Sequence, residues 1–120
     1  MFYIGIVGSR RRSSRQDKEL IAIELQKHIV VGDTIIISGG CPSGADRFAE
    51  ELAKFLQIPI LIYYAEWRRL GKSAGIQRNT HIARHSNILI ACVAEDRKGG
   101  TEDTVRKFIG FHSEEDLYLV

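Results

Sequence analysis

Three short stretches of this sequence combine backbone freedom with groups suited to an anion. Gly8-Ser9-Arg10 joins a glycine that lets the chain turn, a hydroxyl donor, and a guanidinium able to hold two phosphate oxygens in parallel. Ser38-Gly39-Gly40-Cys41-Pro42-Ser43-Gly44-Ala45-Asp46 is the richest of the three, a loop of unusual backbone angles whose small residues let a ligand approach the start of a helix. Asp46 falls in the first turn of that helix, where it either caps backbone donors or accepts hydrogen bonds from ribose hydroxyls. Lys98-Gly99-Gly100-Thr101 sets a glycine turn before a threonine N-cap, and Glu102 and Asp103 follow it. Acids there suit the helix dipole or serve as general acid or base. Arg78 and Asn79, early on another helix, stand where the arginine reaches a phosphate or a sugar or remains a surface charge.

Other chemistries find less support. Gly71-Lys72-Ser73 resembles the end of a P-loop, but that motif needs a glycine where this chain has Glu66. No GxGxxG is present, so the dinucleotide fingerprint is missing. His81 and His85 are spaced to share a metal, yet no HExxH glutamate or third ligand accompanies them, and they read as a solvent-facing pair. No metal or other cofactor is expected. Cys41 has no base placed to activate it and reads as a small loop residue. Arg11, Arg12 and Arg15 read as a solvated face, and Trp67 either stacks on a base or packs as a lid on the sheet edge.

The elements that must hold these groups follow from the apolar pattern. Phe2 to Val7 is a continuous, β-branched run, as in a strand buried on both faces. A helix follows from Ser14, with Leu20, Ile21, Leu25, His28 and Ile29 in one stripe, ended by Gly32-Asp33. Thr34 to Ser38 is the second strand; Ala45, Phe48, Ala49, Leu52, Ala53 and Leu56 mark the second helix. Pro59 opens a third strand, Ile60 to Tyr64. Residues 65–75 form the longest loop, a third helix runs from about Gly75 to Arg84, and Asn87 to Val93 is the fourth strand. The last helix covers Thr101 to about Ile109, and Leu117 to Val120 a short closing strand. Strands alternating with helices predict an α/β fold around a mostly parallel sheet, with ligands bound at the carboxyl ends of the strands.

Composition sets the outer bounds. With 120 residues, 44% hydrophobic and 27% charged, the chain fits one globular domain spanning residues 1–120. Its 17 basic and 15 acidic residues leave a net charge of +2, too small to mark a nucleic-acid binder by itself. Two cysteines without a CxxC, no secretory signal and no long apolar run lead to the expectation of a cytoplasmic protein that does not enter a membrane.

Taken together, GSR after the first strand, SGGxxxGAD after the second, GKxAGxxRN before the fourth and GGT after it resemble the SLOG superfamily of Rossmann-like nucleotide-binding proteins. The resemblance runs from Ile4 to about Gly110 and is nearest to its small single-domain branch. It implies a three-layer Rossmann-like fold, a sheet of about five strands flanked by helices on both faces, and a homodimer. It also implies a nucleotide or phosphoribosyl ligand. Gly8, Ser9 and Arg10 would hold phosphate, Ser38, Gly39, Gly40, Ser43 and Gly44 would admit the ligand, Asp46 would take hydroxyls, and Arg78, Asn79, Gly99, Gly100 and Thr101 would close the other side. The superfamily includes phosphoribohydrolases whose catalytic arginine matches Arg78 and whose catalytic glutamate matches Thr104, which has no carboxylate; Glu102 is the nearby substitute. Ligand binding or sensing is therefore the first expectation and hydrolysis of a nucleotide N-glycosidic bond the second. The superfamily's DNA-processing protein A makes single-stranded DNA a third.

Overall fold

The β-branched run at the N-terminus and the run at Ile88–Cys92 become the two central strands of the sheet. The computed structural model describes residues 1–120. Its strands are β1 (Phe2–Gly8), β2 (Thr34–Ser38), β3 (Ile60–Ile62), β4 (Ile88–Cys92) and β5 (Leu117–Leu119). Its helices are α1 (Arg15–Gln26), α2 (Ala45–Leu56), α3 (Trp67–Leu70), α4 (Ala74–His85) and α5 (Gly100–Phe111). The strands lie in the order β3-β2-β1-β4-β5, and every pairing is parallel.

Continuous apolar strands need cover on both faces, and the helices supply it. Ile4, Ile6, Ile36, Ile88, Ile90 and Cys92 face α1 and α2 in one core, while Val7, Ile37, Leu89 and Ala91 face α4 and α5 in the other. The result is a three-layer, Rossmann-like α/β architecture. The first half of the chain builds outward from β1 through β2 to β3, and the second returns to the opposite side of β1. Crossovers between parallel strands are right-handed, so reversing direction moves the helices to the other face. That reversal places the topological switch between β1 and β4.

Several boundaries differ from the sequence expectation, each for a local reason. Helix α1 stops at Gln26 rather than at Gly32. The Thr34 hydroxyl accepts the Val30 N–H at 2.8 Å and donates to the Val30 carbonyl at 3.0 Å, drawing both groups out of any helical ladder. Strand β3 ends at Ile62; the Tyr63 N–H still reaches the Ser38 carbonyl, but Tyr64 turns out to solvent. The expected long loop after it contains α3 and a 3-10 turn at Gly71–Ser73. There the Glu66 carbonyl accepts from Arg69 and Leu70, and the Ser73 hydroxyl closes onto the Leu70 carbonyl at 2.8 Å. No helix is long and apolar enough to cross a membrane.

Arg12 is a structural residue rather than part of a solvated face. Its guanidinium donates to Asp17 Oδ1, to the Val93 carbonyl at 2.9 Å and to the Val120 main-chain oxygen at 2.6 Å, tying the β1–α1 loop to the ends of β4 and β5. Asp17 also closes a capping box with Ser14, so the N-terminus of α1 is satisfied from within. Burial alone would raise the Asp17 pKa, but the Ser14 N–H and hydroxyl and the Arg12 charge bring it below the ordinary carboxylate value.

A carboxylate whose folded-state pKa is depressed contributes stability above the unfolded value of about 3.9 and loses it as the pH falls through the folded one. Asp17→Asn should therefore be less stable than the parent at neutral pH, with the gap closing in acid; urea unfolding across pH measures it. Phe108 is fully buried between α5 and the sheet. Phe108→Ala should cost about 3–5 kcal/mol in the same assay.

Candidate ligand-binding site

At the carboxyl edge of the sheet the loops after β1, β2 and β4 lie side by side, because the strands they leave are neighbours in the order β2-β1-β4. The Ser9 N–H donates to the Cys92 carbonyl at 2.9 Å, extending the β1–β4 ladder one step past Gly8. The Ser9 carbonyl then accepts the Arg12 N–H at 3.0 Å, so the loop doubles back and holds Ser9 and Arg10 at the rim. Gly8 has no room for a side chain: a Cβ there would stand 2.6 Å from that of Ala45 and 2.9 Å from that of Cys92. The start of α2 thus rests directly on β1.

Helices α2 and α5 begin at this edge, and neither carries a side-chain cap. Their N-cap residues are Gly44, with φ 69°, and Gly99, with φ 117°, left-handed values that favour glycine. First-turn N–H groups without a capping oxygen carry the positive end of the helix dipole outward. In α1, whose Ser14 and Asp17 fill that role, the same groups are closed.

Between the loops lies a cavity of about 640 Å³, within the range of small-molecule sites. Gly8, Ser9 and Arg10, Gly39 and Gly40, Asp46, Arg78 and Asn79, and Gly99, Gly100 and Thr101 all line it. The three loops picked out by residue type thus converge on one space. Ser38 lies next to the cavity but fully buried, Gly44 is the buried N-cap, and Ser43 contacts Cys41 Sγ at 3.8 Å without lining the wall. Glu102 is not at the cavity. Arg97 holds its carboxylate through two hydrogen bonds of 2.9 Å, and Thr104, buried, occupies the wall instead. Asp103 is turned toward α4, where Asn79 donates to it, and Lys107, one turn on in α5 itself, donates to it as well.

Tyr64, which the pattern placed inside β3, also reaches the cavity, as do Trp67, Lys98 and Arg11. Tyr64 and Trp67 line it and are 66% and 60% exposed. An exposed aromatic just past a strand's carboxyl end is the signal that marks Tyr64. Lys98 and Arg11 line it too, Arg11 being paired with Asp96 at 2.9 and 2.7 Å. Arg10 and Lys98 have no ion-pair partner. Asn79, nearly buried, donates to the Gly100 carbonyl at 3.3 Å and to Asp103 at 3.2 Å, so it orients the first turn of α5 from across the cavity.

Electrostatically the wall is one-sided. Arg10, Arg11, Arg78 and Lys98 line it, against Asp46 as its one carboxylate. Asp46 Oδ2 accepts the Cys41 N–H at 3.0 Å and thereby fixes the β2–α2 loop. Burial pushes the Asp46 pKa up, against the opposing pull of the Cys41 N–H, the Arg78 charge, the Gly39 N–H and the Ser38 hydroxyl. Such a wall suits an anion met by backbone amides and guanidinium groups. No cluster of histidine, cysteine and carboxylate groups that could hold a metal ion is present. Comparison with known proteins finds no matching family model, no matching curated protein and no matching solved structure.

A raised carboxyl pKa means that the folded chain keeps the Asp46 proton to higher pH than the unfolded chain, so ionisation costs stability as the pH rises. Asp46→Asn retains an acceptor for the Cys41 N–H and removes that cost. Its thermal midpoint at pH 7 should exceed the parent's, with the difference shrinking toward about pH 4; a lower midpoint at pH 7 would contradict this balance of effects.

Proposed function

We propose that the protein binds a phosphorylated small molecule, a nucleotide or phosphoribosyl compound, across the carboxyl ends of β1, β2 and β4. The observation that carries the proposal is the meeting of Ser9, Gly40 and Gly100 on one cavity, with two uncapped helix N-termini beside it and basic side chains in excess. Phosphate is the common biological anion that such a nest of N–H groups and guanidinium accepts. Tyr64 and Trp67 add exposed aromatic faces on which a base can stack. The resemblance to the SLOG superfamily points the same way. Because Glu102 faces Arg97 and Thr104 occupies the wall, the reading is of binding rather than turnover.

Trp67 is the chain's one tryptophan and lines the cavity, which makes it an internal reporter. Titration with AMP, GMP, CMP, UMP or ribose 5-phosphate should change its fluorescence and raise the thermal midpoint, whereas adenosine, without phosphate, should bind more weakly. Removing a charge-assisted hydrogen bond costs about 1.5–3 kcal/mol, so Arg10→Ala and Arg78→Ala should each weaken binding about tenfold or more. Absence of any response to the whole panel at millimolar concentration would overturn the proposal.

A further inference from the structure

Two nearly sealed polar side chains face the cavity with bonding capacity to spare, and they meet at one carbonyl. Hydroxyl side chains of α4 and its cap close back on the preceding turn: Thr80 Oγ1 donates to the Ile76 carbonyl at 3.1 Å and Ser86 Oγ to the Ile82 carbonyl at 2.8 Å. Thr104 does not. The carbonyl one turn before it, that of Gly100, takes the Asn79 amide at 3.3 Å from the neighbouring helix instead. Thr104 lines the cavity and is only 2% exposed, and its hydroxyl, which makes no hydrogen bond within the chain, is the part left open to that space. Asn79, 9% exposed, is oriented by its partners. Both bonds of its Nδ2 run to acceptors, the Gly100 carbonyl and Asp103 at 3.2 Å, so the amide nitrogen faces α5 and Oδ1, which accepts nothing from the chain, is left to the cavity that the residue lines.

The surroundings decide what the pair can take. Val7 and Ile82, which pack in one core cluster, line the cavity on this side, and neither Glu102 nor Asp103 does. An acceptor oxygen beside a hydroxyl, which gives or takes a hydrogen bond by turning, complements an N–H donor set next to an acceptor. That pattern is the amidine or lactam edge of a nitrogen heterocycle. A group rich in hydroxyls would set several of them against Val7 and Ile82, which cannot pair them. Trp67 fixes the approach. A Cβ at Gly75 would lie 3.3 Å from Trp67 Cη2, so the indole stands over the first turn of α4, and Asn79 is one turn further along that helix on the same side. A ring stacked on the indole and reaching inward brings its edge to Asn79 and Thr104.

Resting on the phosphate-binding reading, we infer that Thr104 is a specificity-determining residue, its hydroxyl and the Asn79 Oδ1 together reading the donor–acceptor edge of a heterocycle. Asn79 Oδ1 accepts the ring or amino N–H, and the Thr104 hydroxyl donates to the adjacent ring nitrogen or carbonyl. The four common bases all carry such an edge, so the pair tolerates each of them and rejects a ring whose edge is blocked or lacks the donor. A ligand that displaces water from the two side chains must replace the bonds water made, and a site built to hydrogen-bond a group discriminates against the analogue without it.

The test titrates the intact chain, by Trp67 fluorescence and calorimetry, with AMP, with AMP dimethylated on its amino group, with the same nucleotide lacking that amino group, and with UMP and its ring-nitrogen methyl derivative. Each altered base should bind about fivefold or more weakly than its parent. Methylation adds apolar surface that favours stacking, so a loss reports the edge, and the analogue without the amino group removes the donor without adding bulk. Thr104→Val keeps the shape of the side chain and removes the hydroxyl. It should weaken AMP and UMP by about fivefold or more while its thermal midpoint is no lower than the parent's, a split that a merely structural role would not give. Thr104→Ser restores the hydroxyl and should bind AMP within about twofold of the parent. Equal affinities for AMP and its altered forms, parent-like binding by Thr104→Val, or a Thr104→Ser as weak as Thr104→Val would each overturn this inference and leave phosphate binding intact. Failure of every nucleotide and of ribose 5-phosphate to bind the parent protein would overturn both.

Discussion

The pairing of β1 with two neighbours at once is the constraint on which the molecule rests. β1 takes β2 on one side and β4 on the other, both parallel, and its carboxyl end is the point where the chain's outward paths diverge. Parallel strands force every connection to return over a face of the sheet, so each helix starts near the edge where a strand has just ended. Two of those helices start on glycine and leave their first amides open. The anion-suited cavity is thus a product of topology before any side chain is considered; Arg10, Arg78 and Lys98 reinforce a field that the backbone has already set.

Residues around the cavity are divided between holding and receiving. Asn79 orients the first turn of α5, and Arg12 with Asp17 fastens the loop that carries Ser9 and Arg10. These contacts are internally satisfied. Arg78 Nε and the uncapped amides are not, and Asp46 sits where burial works against its charge. Such unpaired groups lower local stability, a cost that a ligand of the proposed class would offset. The two ends of neighbouring helices illustrate the division: α1 closes on its own serine and aspartate, while α2 closes on nothing.

Much of this was legible in the sequence because glycine, small hydroxyl residues and β-branched runs act locally. Strand β2 falls at Thr34–Ser38 as the pattern requires, α2 is centred where Phe48, Ala49, Leu52 and Ala53 recur, and the loops at Ser9, Gly40 and Gly100 share one wall. What the pattern missed depends on distant partners. Nothing near Arg12 announces that its guanidinium will find Val93 and Val120, 81 and 108 positions away; Arg97 is only five residues from Glu102, but residue type does not choose it over a ligand. The short helix α3 escaped because it holds no buried residue and so no apolar period; main-chain bonds to the Glu66 and Trp67 carbonyls define it. Tyr64 belonged by pattern to strand β3, but β3 is an edge strand with one neighbour, and its end peels away.

Strand β1 also shapes the order in which the protein can assemble. Its first neighbour, β2, leaves the ribosome soon after it, but the contacts on its other side join residues as distant as Tyr3 and Asn87, 84 positions apart. Through most of synthesis, then, an isoleucine-rich strand carries one unpaired edge of N–H and C=O groups. A nascent chain in that condition offers a template to other nascent chains. Emergence of β4 removes the hazard and brings the last cavity loop into reach, so a half-made copy has neither the cavity nor a safe surface.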